Sequence, residues 1–504
     1  MPAATVNRMK FFVNRHIFCS VIVLAALLSA CTVGPDYHPP QLEMPERWSG
    51  EARGVVASDT MAAASWWTLF CDPQLDGLID RAVVANKDLG IAAARILEAR
   101  ARRGLVAADA LPAVDVSGAY ARSRRSENSS SGTDSVGPQD LFQAGFDAGW
   151  EIDIFGGVRR AVEAADAGIA AEQENRRDLL VTLLAEVARN YLELRGSQRR
   201  IVTARENLEA QRQTLALTRG RFAVGLSSKL DVAQAEAQLA VTEALIPGLE
   251  TTARQAVHRL GVLAGVTPGA LLAELSGDGV VFCQPAEVPI DLPSELLRRR
   301  PDIRRAEREL AAATALVGVA EAELFPKFSL TGLLGLQSTN LSDLATRGSR
   351  YWSIGPSLNW PIFDAGRIRA GIAVENARQE QALLSYDQTV LAALEEVENA
   401  LVAYDREQTT RRALEQAVDA NQRAVAMADE LYRTGLVDFL NVLQSQRALF
   451  LSQDQLLLSE QRGYVNLVIL FKALGGGWQL AELDHGGQDV DVRQGGARST
   501  DDVR

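Results

Sequence analysis

RFAVGLSSKLDVAQAEAQL, residues Arg221–Leu239, and LYRTGLVDFLNVLQSQRAL, residues Leu431–Leu449, are two versions of one phrase. Gly225, Leu226, Leu230, Val232, Gln234 and Leu239 return as Gly435, Leu436, Leu440, Val442, Gln444 and Leu449, each displaced by 210 positions. Working outward, Glu186-Val187 returns as Glu396-Val397 at the same displacement. Asp88-Leu89, Pro112 and Gly118 return as Asp302-Ile303, Pro326 and Gly332, displaced by 214. The order is kept and the spacing barely drifts, which shared helical composition alone would not produce. The chain is a tandem duplication.

Each copy reads as helix, strand, strand, very long helix and returning helix. In the first copy an Ala/Leu/Arg-rich helix is predicted from about Leu75 to Ala108 and is closed by Pro112. The long helix is predicted from about Val158 to Phe222. Ile201, Leu208, Leu215 and Phe222 fall seven apart, and Leu180, Leu184, Val187, Tyr191 and Leu194 step by four and three. Val390, Leu394, Val397, Leu401 and Tyr404 keep that second pattern, which is a coiled-coil seam. About 65 helical residues rise roughly 98 Å, while the returning helix (about Lys229 to Ala264) and the leading helix rise roughly 54 and 51 Å. Two shorter helices stacked end to end therefore match one long helix. Pro247-Gly248 lies inside the returning helix and is expected to kink it.

Between the helices the period changes to two. Phe142, Ala144, Phe146, Ala148, Trp150, Ile152 and Ile154 alternate with polar or small residues, as do Trp352, Ile354, Pro356, Leu358, Trp360 and Ile362. Val114, Val116 and Tyr120, and then Phe328, Leu330, Leu334 and Leu336, mark shorter partner strands. Alternation over about 10 residues with aromatics near the ends suits a strand facing lipid in a β-barrel. Only four such strands are read per chain, whereas barrels begin at eight, and open sheet edges are costly in hydrocarbon. Several copies must therefore share one barrel: two supply eight strands and three supply twelve. The tips at 122–140 and 338–350 are polar and are expected to be mobile solvent loops.

The N-terminus is an address. Arg8, Lys10 and Arg15 precede an apolar stretch from Ile17 to Leu28, and Leu28-Ser29-Ala30-Cys31 closes it like a lipoprotein lipobox. Cys31 is expected to carry covalent lipid and to become the mature N-terminus. The predicted layout is a signal peptide at 1–30, a lipidated segment at 31–70, a first repeat at 71–266, a linker at 267–291, a second repeat at 292–478 and a disordered tail at 479–504.

Composition narrows the rest. The chain has 504 residues, with 52 Lys+Arg against 64 Asp+Glu, a balance that argues against nucleic acid as partner. Four Cys and four His are too few and too scattered for a metal or disulfide framework. Cys71 and Cys283 precede equivalent parts of the two repeats, so they are not expected to be adjacent. Neither His-Glu-x-x-His, Gly-x-Ser-x-Gly nor a Walker loop is present, so no enzyme and no cofactor beyond the lipid is read. Five Met give no support to a copper or silver route. The fold class is mainly α with transmembrane β: duplicated long coiled-coil helices plus four strands.

Val33-Gly34-Pro35-Asp36-Tyr37, Trp66-Trp67 through Asp72-Pro73-Gln74-Leu75, and Arg299-Arg300-Pro301-Asp302-Ile303 resemble segments of TolC-like outer-membrane efflux lipoproteins of the NodT type. So do Pro361-Ile362-Phe363-Asp364-Ala365-Gly366 and Ala473-Leu474-Gly475-Gly476-Gly477-Trp478, and the resemblance covers the mature chain up to Trp478. It implies the outer-membrane component of a resistance–nodulation–division type tripartite pump: a homotrimer with a twelve-stranded barrel joined to a periplasmic helical tunnel. It further implies a periplasmic adaptor and an inner-membrane pump as partners.

The resemblance assigns adaptor contact to the helix-turn tips, here Arg221, Phe222, Gly225 and Leu226, and Tyr432, Gly435 and Leu436. Related channels narrow at acidic rings just beyond the second tip. The matching positions here are the amides Asn441 and Gln444, with Asp231 and Asp438 as nearby acids. A hydrogen-bonded constriction is expected rather than a charged cation trap. The competing readings are a type I protein-secretion exit and a structural periplasmic lipoprotein that conducts nothing.

Overall fold

The computed structural model describes residues 32–49, 55–57, 64–124, 126, 137–277, 282–283, 288–290 and 293–479. The signal peptide, the lipobox residues Leu28, Ser29 and Ala30, Cys31 and the tail from 480 onward lie outside the described residues. In chain order the elements are β1 (Val55–Ala57), α1 (Pro73–Ala85), α2 (Lys87–Ala108), β2 (Ala113–Ser123), β3 (Gln139–Ile152), α3 (Gly157–Ala223) and α4 (Lys229–Leu263). They continue as β4 (Val288–Ile290), α5 (Leu296–Arg299), α6 (Pro301–Ala322), β5 (Lys327–Ser338), β6 (Arg350–Asn359), α7 (Arg367–Arg433) and α8 (Phe439–Ala473). The long helices α3 and α7 both have 67 residues, and the returning helices α4 and α8 both have 35. Duplication has preserved helix length to the residue.

The chain forms two compact units, each drawing on both repeats. One contains the described residues up to Gln41, Arg95–Gln173 and Arg305–Asp387. Its centre is an antiparallel sheet in the order β2-β3-β5-β6. Register places Val116 beside Phe146, Phe146 beside Leu334 and Leu334 beside Trp352, one row on one face. These four are 75%, 55%, 59% and 73% exposed, so the apolar row faces outward rather than into a core. The other face carries Asp115, Asp147 and Ser353 in register, with Leu333 as its apolar exception. There the Ser329 and Ser357 hydroxyls meet at 2.7 Å.

Helical connections attach at one end of this sheet and the hairpin loops at the other. At the helical end, the Trp150 indole donates to the Ala110 carbonyl at 2.9 Å and the Trp360 indole to the Leu324 carbonyl at 3.0 Å. The same device occurs once per repeat, tying the end of each repeat's second strand to the turn that follows the preceding helix. β6 stops at Asn359, short of the expected Trp360 and Ile362. Pro361, with no N–H to offer a ladder, follows at once. The 338–350 loop contains short 3-10 turns at Leu341–Asp343 and Arg347–Ser349.

The second unit contains Leu42–Ala94, Glu174–Arg304 and the described residues from Gln388 onward. Leu180, Leu184, Val187, Tyr191 and Leu194 are buried, as are Val390, Val397, Leu401 and Tyr404, so the seam read from the heptads is the core of this unit. Ile201, Leu208 and Leu215 extend it, whereas Phe222, the last step, is 46% exposed.

Three expectations need correction. The leading helix of repeat one is two helices, because Asn86 leaves helical geometry and its side-chain oxygen caps α2 through the Asp88 and Leu89 amides at 2.9 and 3.2 Å. Six strands, not four, occur among the described residues: β1 and β4 pair in parallel, joining Val55 to Val288 across the chain. Strands of three residues are too short to show a period. Finally, Cys71 and Cys283 lie together. The Cys283 N–H donates to the Phe70 carbonyl at 3.3 Å, so separation in sequence misled the reading of these two residues.

Candidate functional site

The helix-turn tips are built twice from the same parts. After α3, Gly225 adopts φ +79°, its N–H donates to Phe222 O at 3.0 Å, and the Leu226 N–H reaches back to Arg221 O at 2.8 Å. After α7, Gly435 adopts φ +81°, with the same bonds from Gly435 to Tyr432 and from Leu436 to Leu431 at 3.0 and 2.8 Å. This is a Schellman closure, and the left-handed residue in it favours glycine. Val224, Leu226 and Leu436 are 70%, 66% and 73% exposed, leaving apolar side chains at the surface of both turns.

The two tips touch. The Arg221 guanidinium stands 4.7 Å from the centre of the Tyr432 ring and donates to the Arg433 carbonyl at 3.3 Å. Beneath it, Leu215, Ala235, Ala428, Tyr432, Phe439, Val442 and Leu443 form a buried cluster drawn from α3, α4, α7 and α8. Tyr432, expected as a tip contact, is therefore a buried strut, 4% exposed, while Arg221 caps it. Sequence reading missed this pairing, because the repeat places Leu431 rather than an arginine at the position equivalent to Arg221.

The acids divide in role. Asp231 belongs to a capping box: its carboxylate accepts the Ser228 N–H at 2.8 Å and the Ser227 hydroxyl at 2.8 Å, and the Ser228 hydroxyl accepts the Asp231 N–H at 3.1 Å. Burial opposes its ionisation, but the bonds from Ser228 and Ser227 outweigh that and hold the carboxyl below its ordinary range. Asp438 begins α8 with no side-chain cap bond and is exposed. Asn441 occupies the position equivalent to Asp231. Its backbone N–H donates to Asp438 O at 3.1 Å, and its side chain is exposed. Gln444 is exposed one turn further along α8.

The segment just after Cys31 is clamped. Val33 N–H donates to Phe155 O at 3.1 Å, three residues past the end of β3. The buried Arg160 guanidinium donates to the carbonyls of Val33 and Gly34, both at 3.1 Å, and to Asp36 at 2.7 Å. That bond and the charge of Arg160 lower the Asp36 carboxyl. Gly34 has φ +93°, and a Cβ there would come within 2.3 Å of Gly318 Cα. Tyr37 donates to Glu307 at 3.1 Å.

Other motif residues are framework. Arg300 donates to Asp302 and Glu396, both at 2.7 Å, and to the Ala473 carbonyl at 2.9 Å. The guanidinium groups of Arg177 and Arg304 stand 4.9 and 5.3 Å from the centre of the Trp478 ring, and its indole donates to the Arg299 carbonyl at 2.9 Å. Asp72 accepts the Tyr191 hydroxyl at 2.6 Å. Among the described residues, no helix is long and apolar enough to cross a membrane.

The family model described as Outer membrane efflux protein matches residues 78–266 and again 292–476. Nodulation protein T of Rhizobium leguminosarum bv. trifolii is 33% identical over 458 residues, spanning 90% of this chain and 96% of that protein. The pyoverdine export outer membrane protein OpmQ of Pseudomonas aeruginosa is 36% identical over 468 residues, spanning 91% and 97%. Among solved structures, the outer-membrane channel OprN superposes with a TM-score of 0.84 at 38% identity, covering 89% of this chain and all of that one.

Proposed function

Because the chain belongs to the outer membrane efflux protein family and is an outer-membrane efflux channel, we propose that three copies close one barrel and form a passive exit for small molecules. The observation that carries this reading is the apolar row Val116–Phe146–Leu334–Trp352, exposed across a sheet whose outer strands β2 and β6 have no further partner among the described residues. In hydrocarbon, unpaired edge N–H and C=O groups cost several kcal/mol each, roughly, so β2 of one copy pairs with β6 of the next. Three copies of four strands make a twelve-stranded wall. The purified oligomer should have the mass of a trimer and conduct ions in a planar bilayer. A monomer that inserts nowhere would overturn the reading.

Cys31 carries the lipid. In support, Thr32 and Val33 sit against Phe155 and Gly156, at the helical end of the sheet, so acyl chains on the preceding residue would enter the leaflet beside the barrel. Mass spectrometry of the N-terminal peptide tests this, with Cys31→Ala as the unmodified control. The exposed apolar tips dock to a periplasmic adaptor, which links the channel to an inner-membrane pump of the resistance–nodulation–division type. Leu226→Asp with Leu436→Asp should abolish adaptor crosslinking while leaving the oligomer intact. Selectivity then belongs to the pump, since a passive duct adds little of its own.

A further inference from the structure

The short 3-10 helix Trp66–Phe70 ends at Cys71, which has φ 54° in the left-handed region although it is not glycine. The residue before it, Phe70, is buried and packs edge-on against Phe282 at 6.1 Å and Tyr464 at 5.9 Å. Phe282 packs against Tyr464 at 5.2 Å and Tyr191 at 6.1 Å, and its carbonyl accepts the Tyr464 hydroxyl at 3.1 Å. One aromatic cluster thus holds both residues that precede the cysteines. The Cys283 N–H bonded to Phe70 O brings the two backbones together, with both cysteines exposed at the rim and the Cys71 thiol turned to the Leu69 carbonyl at 3.7 Å.

We infer that Cys71 and Cys283 are joined by an intramolecular disulfide in the exported protein, stapling the segment between the repeats to the start of the first. Three features carry this. The Cys283 N–H bonds the carbonyl of the residue before Cys71, so the two backbones meet as a disulfide requires. Both cysteines are exposed, so a carrier can reach them. Export to the outer membrane passes through an oxidising compartment, where such pairs persist. This last point rests on the proposed outer-membrane location; the pairing itself does not.

The chemistry is thiol–disulfide exchange with a disulfide carrier of that compartment. One cysteine thiolate attacks a carrier sulfur and forms a mixed disulfide. The second then displaces the carrier sulfur, so the Cys71–Cys283 S–S bond forms as the carrier S–S bond breaks. The pair loses two electrons and two protons, and the carrier leaves as a dithiol. The Cys71 thiol is raised above its ordinary value by the neighbouring Cys283 thiol, then by burial and the nearby Asp76 carboxylate. A thiol slow to ionise fits a structural bond better than one that cycles.

The test is maleimide labelling of the full chain, denatured from isolated membranes with and without prior reduction. The wild type should gain two labels on reduction. Cys71→Ser and Cys283→Ser should each show no gain, because the surviving thiol labels without reductant. Membrane fractionation and conductance are scored separately from labelling, so a working wild-type channel with two free thiols sinks the disulfide alone. No gain in the wild type would overturn the inference. A reducible dimer on a non-reducing gel would also overturn it, by placing the bond between copies.

Discussion

Arg221 and Tyr432 lock the two repeats of one chain to each other at the helix tips: the guanidinium lies 4.7 Å from the ring centre and also bonds the Arg433 carbonyl. A cation over an aromatic face contributes roughly 0.5–2 kcal/mol. Arg221→Ala should therefore loosen the tips and raise resting conductance in planar bilayers between about 2-fold and 30-fold. Unchanged conductance would mean that the contact does not hold a closed state.

Asn441 and Gln444 present exposed amides on α8 just beyond the second tip. If three copies bring them to the narrowest point, replacing both with alanine widens it and raises resting conductance. Asp438→Asn should change mainly cation preference, since a carboxylate at the mouth attracts counter-ions. Conductance unaffected by the double alanine variant would move the constriction elsewhere.

Asp231 lends stability only while ionised. Its carboxyl is held low in the folded chain, so its contribution is present above the unfolded value of about 4 and fades as pH falls through the folded one. Loss of such a cap costs about 0.5–1 kcal/mol, discounted toward the lower figure because the site is mostly exposed. Wild type should melt above Asp231→Asn at pH 7, with the gap closing in acid. A gap that widens in acid contradicts the capping box.

Arg300 is 8% exposed and serves Asp302, Glu396 and the Ala473 carbonyl together. Arg300→Met strands these acceptors and should destabilise by roughly 2–4 kcal/mol, less than for a fully buried pair because the Glu396 side chain is 57% exposed. Arg300→Lys should recover only part, since a point charge cannot reproduce the two bonds to Asp302. Urea denaturation of the extracted oligomer measures both.

Phe146 and Ser353 sit on opposite faces of the sheet. Phe146→Arg puts charge into lipid, at roughly 2–4 kcal/mol near the bilayer centre, and should sharply reduce assembled oligomer in outer membranes. Ser353→Arg should assemble normally and shift ion selectivity. Equal tolerance at both positions would refute the lipid-facing row.

Much of this is legible in the sequence. The heptad steps through Tyr191 and Val397 gave the buried seam, and Gly225 and Gly435 gave the turns, because helical period and left-handed backbone are local properties. The alternation around Phe146 gave the strands and their outward face. The capping box of Asp231 was not legible for a different reason: an acid that caps a helix and one that does not look alike until the hydrogen bonds are seen.

The sequence by itself determined the duplication, the lengths of the long helices and which strand residues share the exposed apolar face, since each is written in spacing along a few turns or one strand. Only the tertiary structure decided that Val55 pairs with Val288, that Cys283 lies beside Cys71 and that Arg221 rests on Tyr432. Those contacts join positions more than 200 residues apart through three-residue strands or single side chains. Such pieces carry no period of their own, and their partners are chosen by how the long helices and the aromatic cluster pack.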